Sequence, residues 1–404
     1  MSDRQEPGAL AGRRVALVSR IYGPEPGAAS FRLAALARAM RDAGARVRVL
    51  TTRAPAPYPG EPAGHEDIEI RRAPVLRDRD DYVRGYLPYA SFDVPAFFRI
   101  LFSRGLDAVV VEPPPTSGVA MRLACAIRRI PYLYYLADVW SDAVEAIDEP
   151  GIVARILRRV ELFALNGAAA VLSASQEFTD RVIELGVRSQ VVTLGNGADD
   201  TLFTPDGPRR DLGHPYLLYA GTASEMHGAD VFIDAVARVR QTDPAVQVVF
   251  VGQGAERRKL EASAERVAPG GVLFEPRLSP EETAEWIRGA AATLASVDPA
   301  TPYHRMFPVK MYASVVCGTR VIYAGGQPGR AFAETAGNGW AVDYDADQVA
   351  EAMRAAVASP ATEAERAALA ARAADEYSLR AVAARGVGAL VEVLAGRRGR
   401  TPIA

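Results

Sequence analysis

Short, almost wholly apolar runs recur along this chain, each followed by a loop and a stretch whose apolar residues return every three or four positions. VALVSR (Val15–Arg20) is the first. A continuous run of this kind, without alternation, predicts a parallel strand buried on both faces. It leads through the Gly/Pro loop IYGPEPGAAS into FRLAALARAMRDAG, where Phe31, Leu33, Leu36, Ala37 and Met40 mark one helix face and Gly44 the stop. VRVLTT (Val47–Thr52) follows as the next strand. The same alternation continues with DAVVVE (Asp107–Glu112), the helix opening at Thr116, Ser117 and Gly118, the strand PYLYYLADVW, AAAVLSAS (Ala168–Ser175), a helix running to Gly186, and VVTLGNG. Residues 53–80, rich in Pro and charge, read as an excursion from this rhythm.

After a polar Gly/Pro-rich linker, Pro205–Pro215, the pattern restarts. YLLYAG (Tyr216–Gly221), VQVVFVGQG, VLFEP and ATLASV read as strands, with helices between them. Next come a helix opening near Pro308, a Gly-Thr turn, another buried strand and a glycine-rich loop; an Ala/Arg-rich helical region spans Ala361–Gly396. The expected fold is α/β, with two successive doubly wound, Rossmann-like domains facing a cleft. The boundaries fall at 1–206, 207–380 and a closing segment 381–404, with a hinge near residue 207. A ligand in the cleft is the natural expectation.

Composition narrows the classes. A chain of 404 residues that is 49% hydrophobic and 24% charged has ample core for two domains. A net charge of −2 offers no basic field for nucleic acid. The polar start MSDRQEPGALAGRR is not a signal peptide, and no run nears the ~20 apolar residues that span a bilayer. Cys125 and Cys317 fit no metal spacing and read as buried thiols, so the expected location is cytoplasmic. The unusually aromatic segment from Tyr82 to Arg104, with Arg84, Arg99 and Arg104 among its aromatics, is either core or a surface for the inner membrane face or a lipid-linked substrate.

Lys259 and Lys310 are the only lysines among many arginines. Lys310, in the first turn of its helix, reads either as a compact point charge aimed at phosphate or as a solvated surface residue. Gly27 precedes a helix N-terminus, where a phosphate or sugar could approach; a simple turn is the alternative. Ligands collect at the carboxyl ends of parallel strands, which makes Glu112, Asp138 and Asp142 candidates for the lip of a cleft, unless they cap helices.

Several segments together resemble the retaining, nucleotide-sugar-dependent GT-B glycosyltransferases of family 4. PEPGAASFRLAALARAM is similar to that family's first glycine loop and helix, and NGADDTLFTP (Asn196–Pro205) to the N-G-V-D-x-x-x-F-x-P segment ending its first domain. YAGTASEMHGADVFIDAV, VVFVGQGAERRKLE, VKMYASVVCGTRVIYA and EYSLRAVAARGVGAL resemble, in order, the landmarks of its second domain and its closing helix. The resemblance implies transfer of a sugar with retention from a nucleotide diphosphate sugar to a glycan, lipid-linked or small-molecule acceptor. It implies no metal or other cofactor, and a closing helix packed back on the first domain. Bacterial glycan or glycoconjugate synthesis is the expected setting, natural-product synthesis remaining open.

The resemblance assigns donor contacts to Gly27, Gly221, Thr222, Gly252, Arg277, Arg305, Phe307, Pro308, Val309, Met311 and Ala313. It assigns catalytic roles to Asp138, Asp142, His227 and Lys310, and acceptor contacts to Glu112 and Trp140. Departures are specific. Thr222 and His227 stand where the family usually has Arg and Lys in its G-R-x-x-x-x-K-G loop, and Arg305 and Ala313 replace both glutamates of its E-x7-E motif. DVWSD and Pro308-Val309-Lys310 resemble a subgroup acting on bacterial polysaccharides, which carries D-L-W-P-D and Pro-Ser-Lys. A protonated His227, Lys310 and Arg305 would then meet the diphosphate, with donor affinity falling as pH rises through the histidine's pKa. The alternative is a catalytically degenerate protein of the same fold acting as a partner or scaffold.

Overall fold

A computed structural model describes residues 8–25, 27–55, 65, 67–78, 83, 85–145, 151–301, 306–335 and 337–398. The chain divides into two units, one of residues 1–196 with 379–404, the other of residues 197–378.

The first unit runs β1 (Arg14–Val18), α1 (Ala28–Asp42), β2 (Arg46–Thr52), β3 (Glu69–Ala73), α2 (Tyr86–Phe102), β4 (Ala108–Val111), α3 (Pro115–Arg128), β5 (Tyr132–Leu136), α4 (Trp140–Glu145), α5 (Gly151–Leu165), β6 (Ala170–Ser173), α6 (Gln176–Glu184) and β7 (Val191–Thr193). Among the described residues its sheet has seven parallel strands in the order β3-β2-β1-β4-β5-β6-β7. Side chains alternate faces along a strand. Val15, Leu17, Val110 and Leu133 therefore enter one core layer, and Ala16, Val18, Val109 and Tyr134 the other. The excursion of residues 53–80 contains β3, paired in parallel with β2 at the sheet edge. Its charged sequence EIRRA hid it, since a strand with one free edge needs no continuous apolar run and gains from charge. Phe31, read from the sequence as part of the buried face of α1, is 45% exposed.

The second unit continues with β8 (Tyr216–Ala220), α7 (Val231–Val239), β9 (Gln247–Val251), α8 (Arg257–Val267), β10 (Val272–Glu275), α9 (Pro280–Gly289), β11 (Ala292–Ser296), α10 (Lys310–Val316), β12 (Val321–Ala324), α11 (Gly329–Glu334), β13 (Gly339–Val342), α12 (Ala346–Ala358) and α13 (Glu363–Tyr377). Its parallel sheet follows the order β10-β9-β8-β11-β12-β13. In each sheet the strand order reverses beside the first strand, between β1 and β4 and between β8 and β11. Those are the switch points at which open α/β sheets bind ligands.

The sequence reading ended the first domain at residue 206, within the Pro205–Pro215 linker, whereas the division into units falls at Asn196/Gly197. Phe203 packs with the second unit's core, and the buried Arg288 donates to the carbonyls of Pro208 (2.9 Å) and Thr204 (3.2 Å). The helical region at the end breaks at the buried Ser378. Beyond it α14 (Leu379–Arg398) returns to the first unit, burying Val382, Val387, Leu390 and Leu394 against α1 residues Leu33, Leu36 and Met40. Each such side chain gains roughly 1.5–3 kcal/mol over exposure, so α14 completes that core layer.

Candidate functional site

In the second unit a cavity of about 660 Å³ opens at the carboxyl ends of β8 and β9 and is bounded by α9, β11 and α10. Gly221, Thr222, Gly252, Arg277, Lys310, Met311 and Ala313, all singled out from the sequence, line it. Gly221 and Gly252 have φ of 143° and 138°, a region side-chain-bearing residues rarely adopt. A Cβ on Gly252 would lie 2.2 Å from the Gly221 carbonyl oxygen, so the two strand-end loops approach each other only because Gly252 is bare.

Lys310 controls the electrostatics. Its Nζ lies 3.6 Å from the centre of the Tyr219 ring and is shielded from solvent without a hydrogen-bond partner, although part of the residue remains exposed. Burial pushes its pKa down from 10.5 to about 7. The same atom sits 3.2 Å from where a Gly221 Cβ would be. Among the described residues the cavity lining includes two cationic side chains, Lys310 and Arg277, and no carboxylate. Gln253, Thr283, Thr293 and Ser314 add amide and hydroxyl groups, with the Thr293 hydroxyl donating to that of Ser314 at 2.8 Å. Sequence reasoning missed these four. The strand-end rule, applied to β9, reaches Gln253, but Thr293 and Ser314 face the cavity through strand pairing and helix phase.

His227 ends a short turn after β8, its Nδ1 2.6 Å from the Ser224 hydroxyl. Burial, reinforced by the nearby Lys310 charge, lowers its pKa to about 4. The expectation of a protonated histidine is therefore corrected: His227 is neutral at physiological pH. Phe307 stacks on Tyr312 (4.7 Å) and meets Phe332 edge-on, contributing to packing beneath α10. Pro308 is buried and Val309 exposed, neither of them on the cavity wall. The helix starts at Lys310 rather than at Pro308. Arg305 lies outside the described residues.

In the first unit, Gly27 is the residue before α1, with open space where a Cβ would be. Glu112, just past β4, is buried; it accepts from the Ser19 hydroxyl (2.7 Å) and pairs with Arg32 (3.5 Å). Burial raises its pKa and Arg32 opposes the rise. Asp138 is exposed beyond β5. Asp142 is held by Arg181 through two contacts, 2.6 and 2.9 Å. Trp140 opens α4, whose first N–H groups, from Trp140 (2.8 Å) and Ser141 (3.1 Å), are accepted by the buried Glu161. Its ring stands edge-on to Tyr89 with the Arg20 guanidinium against both, and its Nε1 is buried without a partner. Arg20, which the sequence reading passed over, is itself buried, donates to the Val83 carbonyl (2.8 Å), and has its pKa lowered by that burial.

Comparison with known proteins agrees with this architecture. Residues 27–197 match the family model described as a glycosyl transferase 4-like domain, and residues 214–359 that of glycosyl transferases group 1. No curated protein sequence matches significantly. Among solved structures, sucrose-phosphate synthase of Thermosynechococcus elongatus is similar with a TM-score of 0.72 at 19% identity, over 95% of this chain and 100% of that one. Anabaena HepE in complex with UDP gives 0.69 at 18%, over 94% and 100%. A glycosyltransferase from Rickettsia africae gives 0.70 at 12%, over 95% and 98%. At these identities the structures establish a shared fold.

Proposed function

We propose, since this chain pairs a glycosyl transferase 4-like domain with a glycosyl transferases group 1 domain on the GT-B fold, that it is a retaining, nucleotide-sugar-dependent enzyme of the family 4 type, working on bacterial glycans or glycoconjugates. The donor is a nucleotide diphosphate sugar held in the cavity of the second unit; the acceptor hydroxyl belongs to the first. HepE was solved in complex with UDP, which supports a nucleoside diphosphate as a ligand of this fold. The observation that carries the reading is the Lys310 ammonium, buried beside Gly221 without a hydrogen-bond partner at the wall of a cavity whose described lining holds no carboxylate.

A diphosphate supplies the anion that Lys310 lacks. Charge-assisted contacts of this kind are about twice as strong as neutral ones. As the bond from the anomeric carbon to the diphosphate oxygen breaks, negative charge grows on the leaving group, and Lys310 stabilises it most in that state. The acceptor oxygen forms the new bond to the same face of the sugar, and its proton passes to a diphosphate oxygen. In the tautomer whose Nδ1 accepts from the Ser224 hydroxyl 2.6 Å away, neutral His227 carries an Nε2–H to donate toward sugar or phosphate. No step is routed through a metal.

The test is calorimetric titration with a panel of nucleoside diphosphates and their sugars. Saturable binding of one nucleotide, lost or weakened at least tenfold in Lys310→Ala, is the expected result; silence across the panel would sink the reading. A second reading, a degenerate partner protein, draws on Ala313, which presents a methyl group to the cavity where the family has a glutamate. Binding without sugar transfer would favour it.

A further inference from the structure

The outer layer of the first unit carries a feature that donor chemistry does not use. Helices α2, α3 and α5 pack side by side and bury Phe92, Ile100, Met121 and Leu165 into one core layer. Their opposite faces are apolar too. Phe102 is 74% exposed, Ile127 64% and Ile156 56%, with Leu87, Phe98 and Ile152 also open to water. On α2 the exposed positions 87, 94, 98 and 102 fall seven, four and four residues apart, a stripe along one helix face. Soluble proteins seldom expose contiguous apolar patches beyond a few hundred Å², and larger ones mark interfaces.

Charge identifies the occupant. The acidic residues on these three helices are Asp93 and Glu161, both buried at 6% and 1% exposure. Among the described residues of these helices the exposed charges are the arginines Arg155 and Arg159 on α5. The three helices themselves thus present one sign of charge on a chain whose net charge is −2. Such a face repels a second copy of itself. It is also broad: α2, at ~1.5 Å per residue, is about 25 Å long, and the exposed apolar side chains are spread over three helices rather than around one pocket.

We propose that the α2–α3–α5 face docks on an anionic lipid bilayer, with the aromatic and aliphatic side chains entering the headgroup boundary and the arginines meeting lipid phosphates. The inference stands apart from the donor reading, because lipid binding is measured without turnover. It places the first unit on a surface where a lipid-linked acceptor would be presented.

The experiment is co-sedimentation of the full chain with vesicles of phosphatidylcholine alone and of phosphatidylcholine with phosphatidylglycerol, across a salt series. Binding should require the anionic lipid and weaken as salt rises. The exposed double variant F98S/F102S should bind at least tenfold more weakly, and R155Q/R159Q about fivefold more weakly per arginine removed, with nucleotide binding and melting temperature unchanged. Failure to sediment with anionic vesicles, equal binding to neutral ones, or variants that bind like the parent would overturn the proposal. So would a dimer in analytical ultracentrifugation that F98S/F102S dissociates, since a second copy would then own the face.

Discussion

Replacing Lys310 with Met should stabilise the free protein while removing its affinity for nucleotide. In the folded state the ammonium is buried and its pKa falls from 10.5 to about 7. At about 1.4 kcal/mol per tenfold, that fall corresponds to a penalty of about 4–5 kcal/mol on the charged form. The sign follows from proton counting. Between pH 7 and 10.5 the unfolded chain holds the proton and the folded chain has lost it, so parent stability rises with pH across this window. Below pH 7 both states are charged and the full penalty applies. Methionine fills similar space without charge but loses the Tyr219 contact, which leaves a gain of about 2–4 kcal/mol at pH 6–7. The gain should shrink toward zero by pH 10.5. Denaturant unfolding of parent and variant at pH 6, 8 and 10 measures the difference, in which groups remote from Lys310 cancel, while His227, whose pKa the Lys310 charge helps to lower, adds to the gain at pH 6. A variant no more stable than the parent at pH 6, or a gain that does not change with pH, would refute the account of Lys310 as an uncompensated buried cation.

Donor affinity should be flat below pH 7 and fall up to tenfold per pH unit above it, as the Lys310 proton must be taken up on binding; calorimetry in buffers of different ionisation enthalpy would detect that uptake, and none at pH 8 would count against it. Asp142→Asn should cost about 1 kcal/mol of stability through the partly exposed Arg181 pair and leave kcat near the parent value; a hundredfold loss of kcat would restore Asp142 to the catalytic set. Gly252→Ala should lower the melting temperature and abolish nucleotide binding, since its Cβ would sit 2.2 Å from the Gly221 carbonyl oxygen at a φ of 138°. Unchanged binding in that variant would show that the two loops do not need this approach.

Strands buried on both faces announce themselves, and β1, β4, β8 and β9 were legible because their apolar runs leave no other assignment. The edge strand β3 was not, since partnership on one side frees its other side for charge. At the donor cavity, glycines and Lys310 were readable because residue type alone limits what they do at a strand end or helix start. The state of His227 was not readable. Its pKa depends on burial and on Lys310, a residue 83 positions later in the sequence that folding brings near. Asp142 likewise gained a guanidinium partner, Arg181, from a helix with no sequence signal linking the two.

Because the closing helix α14 belongs to the first unit, residues 197–378 are an insertion within it, entered and left at neighbouring points: Ala198 bridges Ser378. On the ribosome this inverts the order of completion. The first unit emerges first but lacks one wall of its α1 core layer until residues 379–398 are released, by which time the whole second unit has been synthesised and is free to fold. The half of the protein made first is the half finished last, and a truncation near the end of the chain strikes the unit at its beginning.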